Sequence, residues 1–170
     1  MPRTRIDSSQ LSKDTGILFW ERDLLLASGD FSAGRYNAMT VGWGAFGVMW
    51  GKNYAQVVVR PTRYTYEFMN EFETFTLCAF SERYSSALGL LGSKSGRDGD
   101  KIAESGLSAE PSVAIAAPSF AEADLAIECK KIYWDDLDPS RFLDAGIATQ
   151  YPKRDYHRVF YGEIVAAFRS

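Results

Sequence analysis

The stretch NAMTVGWGAFGVMWGKNYAQVVVRPTRYTYE, residues 37–67, constrains the fold more than any other part of the chain. Residues 37–41 and 54–59 are short, apolar and bounded by glycine or by Arg60-Pro61, so each reads as a strand. The glycines and Asn53 between them make a poor helix. Pro61 stops the second strand, and Thr62, Arg63 and Thr65 open a short helix. Two strands, a tryptophan between glycines, and hydroxyls with arginine at a helix start together form a cradle for a flat aromatic ligand carrying a phosphate.

The same punctuation runs along the chain. Strands are expected over 16–20, 23–28, 74–80, 123–134 and 156–168. Helices are expected over 64–70, 82–91 and 98–104, with one helical turn over 141–144. Phe75, Leu77 and Ala79 alternate onto one face of their strand, whereas Tyr84, Ala87, Leu88 and Leu91 recur at helical spacing. Residues 113–117 are short and apolar, and 1–13 form a polar, flexible lead-in. No repeat or linker divides residues 1–170, which read as one domain. Many short strands with few, short helices imply a mainly β fold, an antiparallel barrel flanked by helices.

Composition narrows the function classes. A net charge of -3 argues against nucleic acid as the main partner, and no apolar run reaches membrane-spanning length. Residues 1–10 lack the apolar centre of a signal peptide. Cys78 and Cys129 fit no metal or CxxC spacing and read as reduced, buried thiols of a cytoplasmic protein. With His157 the single histidine, no His-rich metal site is available.

Gly42-Trp43-Gly44-Ala45-Phe46-Gly47 matches G-x-G-x-x-G. The match fails in context: no helix follows it, and Thr62-Arg63 stands where a ribose-binding acid is required.

The remaining candidates each carry two readings. Thr62, Arg63 and Thr65 supply amides, hydroxyls and charge for a phosphate, or simply cap a helix with a solvated arginine. The loop 92–101, with Ser95, Arg97 and Lys101, is a glycine-hinged anion loop or a surface turn. Trp43 lies against a planar ring or packs at a barrel bend. Asn37 and Thr40 bond the polar edge of a heterocycle or serve turn and strand. His157, close to Asp155, tunes a proton or sits at a surface. No nucleophile–base pair stands out, so the chemistry belongs to a cofactor.

The runs NAMTVGWGAFGVMWGK, VVVRPTRYTYEFM, GSKSGRDGDK, ECKKIYWDDLDP and DYHRVFYGEIV, in that order from about residue 16 onward, resemble the flavin reductase-like family, near its flavoredoxins. The resemblance implies an FMN-binding split barrel of six antiparallel strands. It also implies a homodimer with FMN bound noncovalently near the subunit interface. By motif, Asn37, Met39 and Thr40 would line the isoalloxazine, and Trp43 would pack beside it. Arg60, Thr62, Arg63 and Thr65 would surround the phosphate, with Ser95, Arg97 and Lys101 closing over it. His157, near the open flavin face, is the one candidate for a catalytic role. The expected function is transfer of electrons from NAD(P)H through FMN to a small-molecule or redox-protein acceptor. The alternative is a flavoredoxin-type carrier with no pyridine-nucleotide reaction of its own.

Overall fold

The computed structural model describes residues 4–7 and 23–170. The strand expected over 16–20 lies outside them. Thirteen elements are labelled here in chain order: β1 (Thr4–Ile6), β2 (Leu24–Asp30), β3 (Arg35–Val41), β4 (Gly44–Met49), β5 (Lys52–Val59), α1 (Tyr64–Glu71), β6 (Thr74–Ala79), α2 (Ser85–Ser93), α3 (Lys101–Ser105), β7 (Ala109–Glu110), β8 (Ser119–Phe120), β9 (Leu125–Asp136) and β10 (Arg158–Arg169).

The main sheet is antiparallel throughout, in the order β3-β2-β6-β9-β10-β5-β4. The expected six-stranded barrel is its β3-to-β5 portion, whose two end strands approach each other at the seam. The strand β10 serves two neighbours on one edge. Its first half pairs with β5, Arg158 opposite Val59 through Glu163 opposite Tyr54, and its end pairs with β1. Residues 4–6, expected in a flexible lead-in, are therefore part of the sheet.

Two cores share the sheet. Leu24 and Leu26, with Met39, Val41, Val57, Phe75, Leu77, Ile127 and Phe160, fill the barrel. Leu25 and Ala27 point the other way, with Ala38, Cys78 and Ala126, against Leu91, Ile102, Leu107 and Phe120 from α2, α3, the loop that follows it and the β7–β8 ribbon. A strand buried on both faces must be apolar at successive positions, which is why β2 begins Leu24-Leu25-Leu26-Ala27 without alternation. Both cysteines are buried, and neither forms a disulfide among the described residues.

The register between β9 and β10 shifts at Tyr161/Gly162 and at Ile164/Ala166. Such bulges bend a long strand round a barrel. Gly162 stands at the first, where a side chain would lie 2.5 Å from the ring of Phe75.

Behind the sheet, residues 111–118 cross the outer face as an irregular segment. Glu128 holds them in place: its carboxylate accepts the backbone N–H of Val113 at 2.8 Å and of Ala114 at 2.7 Å. Thr76 adds a bond to the Pro118 carbonyl at 2.7 Å. The short apolar stretch read at 113–117 is thus held by its backbone, with the Val113 side chain exposed. The G-x-G-x-x-G run spans the turn into β4 and continues as strand, so no helix follows it. No helix among the described residues is long and apolar enough to cross a membrane.

Candidate functional site

The candidate residues fall into two adjoining clusters, with Thr40 common to both. The first is a crevice of about 290 Å³ at the end of β3, floored by Met39, Thr40, Val41 and Gly42 and walled by Trp43, Val58, Arg60 and His157. Trp43 is no core residue: 49% of it is exposed, and its ring lies tilted on His157 with centroids 5.1 Å apart. His157 is 8% exposed, and its Nδ1 lies 2.8 Å from the hydroxyl of Tyr151. Burial, helped by the charge of Arg60 and opposed by Asp155, holds this imidazole down to about 4, so it is neutral at physiological pH.

Arg60 belongs to this crevice and not to the helix start. It donates to Asp155 and to the Gln150 carbonyl, each at 2.9 Å, and lies over the Tyr151 ring at 4.8 Å. These contacts tie residues 150–155 to the end of β5. An aromatic cluster of Phe142, Tyr151 and Tyr156 stiffens the segment.

The second cluster lies where α1, α2 and the loop 92–101 meet. Arg63 donates to the carbonyl of Gly92 at 2.6 Å. Lys101, only 2% exposed, donates to the carbonyls of Leu91 at 2.8 Å and Lys94 at 3.0 Å. Both cations thus sit at the C-terminal end of α2, where a helix concentrates unpaired carbonyls. Burial lowers the pKa of both, and for Lys101 burial and the neighbouring Arg63 bring it to about 8. Among the described residues neither forms an ion pair, in contrast to the pairs Arg35–Glu71, Lys52–Glu163, Lys94–Glu104 and Arg158–Asp136.

Close backbone approach welds the loop to β3. A side chain at Gly92 would meet Thr40 Oγ1 at 2.2 Å, and one at Gly96 would meet Asn37 Oδ1 at 2.4 Å. Asn37, buried, donates to Thr65 Oγ1 at 2.8 Å. Arg97 acts as a tether: it pairs with Glu67, reaches the Thr62 carbonyl at 3.4 Å and stacks over Tyr64 at 4.8 Å. Ser95 caps the turn at Gly96–Asp98 by accepting from the Arg97 amide at 3.2 Å. Thr62 is exposed and contributes its carbonyl.

Of the sequence candidates, the structure therefore joins Met39, Thr40, Trp43, Arg60 and His157 in one place. It joins Asn37, Arg63, Thr65, Ser95 and Lys101 beside it, with Thr62 and Arg97 on the outer rim. Tyr151 and Asp23 were missed. Asp23 lines the crevice and also a neighbouring cavity of about 470 Å³ against α2, and nothing in its spacing marks it.

Residues 24–169 match the model of the flavin reductase-like domain. This chain belongs to the flavin reductase-like family. No curated protein matches it. Among solved structures, this flavin reductase-like chain superposes on an FMN-binding domain of a flavin reductase-like enzyme from Shewanella baltica, with TM-score 0.72 and 18% identity over 99% of this chain and 77% of that one. Flavoredoxin of Desulfovibrio vulgaris gives TM-score 0.67 and 25% identity, covering 87% and 69%. The 2-nitrobenzoate 2-nitroreductase of Pseudomonas fluorescens gives 0.63 and 22%, covering 98% and 77%. The split barrel of the flavin reductase-like family is therefore the architecture of this chain.

Proposed function

We propose that this protein is an FMN-dependent oxidoreductase that takes electrons from NAD(P)H and passes them to a small-molecule or redox-protein acceptor. The observation that carries the proposal is the pair Arg63 and Lys101: two neighbouring, desolvated cations without a carboxylate among the described residues. Such a pair is costly by itself and is relieved by a dianion. A phosphate meets that need, and Thr65 and Asn37 stand beside it with polar atoms. The adjoining crevice, with the Trp43 and His157 rings at its wall, suits a flat heterocycle. These residues fit FMN.

Bound there, FMN would supply hydride and electron transfer between donor and acceptor. The chain's own residues do the rest. Arg63 and Lys101 hold the phosphate, Met39 and Thr40 present β3 to the ring, Trp43 shields it, and neutral His157 offers hydrogen bonding without adding charge. The purified protein is expected to retain stoichiometric FMN through desalting, read from its visible flavin absorbance. A protein that stays colourless after FMN is added sinks the proposal. Likeness to the 25% identical flavoredoxin favours a second reading, an FMN electron carrier. Rapid bleaching of the flavin by NADH or NADPH supports the enzyme, and reduction by dithionite alone supports the carrier.

A homodimer belongs to the same proposal. β4 ends the sheet, and the β4–β5 turn presents Trp50, 61% exposed, at φ 55. The two-residue turn joining Met49 to Lys52 requires a left-handed φ at both Trp50 and Gly51, where Asn or Gly is usual, so the tryptophan stands there at a conformational cost. Tyr133 is exposed against it, with ring centroids 5.9 Å apart, and Val48 and Met49 are exposed in the strand that leads into the turn. Trp50→Asp with Val48→Asp is expected to convert a dimer into a monomer in sedimentation analysis. A wild-type chain that sediments as a monomer refutes the assignment. Buried cysteines outside any disulfide fit a cytoplasmic location.

A further inference from the structure

We propose that Tyr151 is a positioning residue for His157: its O–H donates to Nδ1, which fixes the neutral imidazole as the Nε2–H tautomer and leaves that N–H as a hydrogen-bond donor at the Trp43 crevice. The tautomer follows from the geometry of the chain. Its use toward a bound ring rests on the FMN reading above.

The two groups are 2.8 Å apart and buried, and this is the only hydrogen bond of either side chain's polar atoms among the described residues. Two arrangements satisfy the distance. If Nδ1 carried the hydrogen, the phenol would have to accept, and its own hydrogen, on a residue only 4% exposed, would be left with no acceptor among the described residues. A buried donor without an acceptor is disfavoured. With the phenol donating, both groups are satisfied and Nε2 keeps the imidazole hydrogen. Since Nδ1 is occupied, Nε2 is the nitrogen left for whatever enters the crevice that His157 lines.

The charged groups around the ring agree. Arg60, from the end of β5, opposes protonation of the imidazole, and Asp155, two residues before it in the chain, favours it. Arg60 is itself bound to Asp155 at 2.9 Å, which offsets the carboxylate. Asp23 lines the same crevice from the start of β2. Burial keeps the Tyr151 proton on its oxygen, with Arg60 and Asp155 acting in opposite senses on it. Segment 137–157 is thereby given a purpose: it carries Tyr151 into place, anchored by Arg60 on Gln150 and Asp155.

Because His157 is the single histidine, the imidazole nitrogens of ¹⁵N-labelled protein form one unambiguous long-range ¹H–¹⁵N pattern. In the ligand-free protein the expected pattern is one tautomer, Nε2 protonated and Nδ1 a bare acceptor, titrating only near pH 4. Tyr151→Phe keeps the ring and its packing but removes the donor. It is expected to give averaged nitrogens from a tautomer mixture and a higher titration midpoint, because a bond that held the lone pair of Nδ1 has gone. Adding FMN to the wild type is expected to shift Nε2 and slow exchange of its proton. A wild-type Nδ1–H pattern overturns the proposal, as does a Tyr151→Phe pattern identical to wild type. If the tautomer is as expected but FMN does not bind, the functional reading fails and the positioning role stands. An Nδ1–H pattern with normal FMN binding gives the converse.

Discussion

Replacing Lys101 by alanine weakens FMN binding by about ten- to a hundredfold, the loss of one charge-assisted hydrogen bond in a buried site. Arg63→Ala has a similar effect, and the two losses are not additive, because each cation raises the cost of the other. Flavin titration by fluorescence or calorimetry gives the dissociation constants. Lys131→Ala provides the control. Lys131 is also partly buried and also donates to a helix carbonyl, that of Met69, but it stands outside both clusters. Unchanged affinity in both Arg63→Ala and Lys101→Ala would remove the phosphate from this place. The pH dependence has a definite sign. Lys101 has a folded pKa of about 8 against an ordinary 10.5, so the ligand-free fold bears the cost of its charge below about 8 and loses that cost as pH rises toward 10.5. A bound dianion stabilises the ammonium, so binding takes up a proton over the same interval. Stability of the ligand-free protein therefore rises between these values while FMN affinity falls.

The second large effect concerns the barrel. Gly162→Val lowers stability by about 3 kcal/mol, the upper part of the range for an overfilled core. The midpoint of thermal unfolding then falls by about 6–12 °C for a chain of this size. A side chain at Gly162 would lie 2.5 Å from two carbons of the Phe75 ring and 2.8 Å from Cys129 Cβ, and all three positions are buried. A neighbour must shift, and the bulge that bends β10 is the part with least freedom to do so. Phe75→Leu in the same chain is expected to recover part of the loss. A valine variant that melts at the wild-type temperature would show that β10 relaxes more easily than this packing implies.

What was legible in the sequence depended on whether an element's burial left a period in its residues. β6 is buried on both faces but alternates Thr74-Phe75-Thr76-Leu77, its inner polar position satisfied by the Thr76 bond to Pro118, and α2 repeats at helical spacing, so both were placed within a few residues. β4 was hidden because it is an edge strand containing Gly44 and Gly47 and exposing Val48 and Met49; its pairing with β5, not its own pattern, makes it a strand. β1 is three residues long and draws its stability from β10. The site was partly legible for a related reason. The family resemblance grouped Arg60 with Arg63, but the turn at Pro61 sends the first to the crevice and the second to α2. Tyr151 gave no signal because segment 137–157 has neither period, and its position follows from contacts far away in the chain.

Glu128 has a consequence for how this sequence can drift. The carboxylate grips the backbone of Val113 and Ala114, not their side chains, and the Val113 side chain reaches into solvent. Inheritance at 113 and 114 is then nearly unconstrained in chemistry, with one exception. Proline, which has no N–H to give, is barred from both places. The constraint that these two positions escape is concentrated on one acidic residue in the neighbouring strand, where a single base change to an uncharged side chain would release the backbone of 113 and 114 and leave only the bonds at 116–118 to hold the segment.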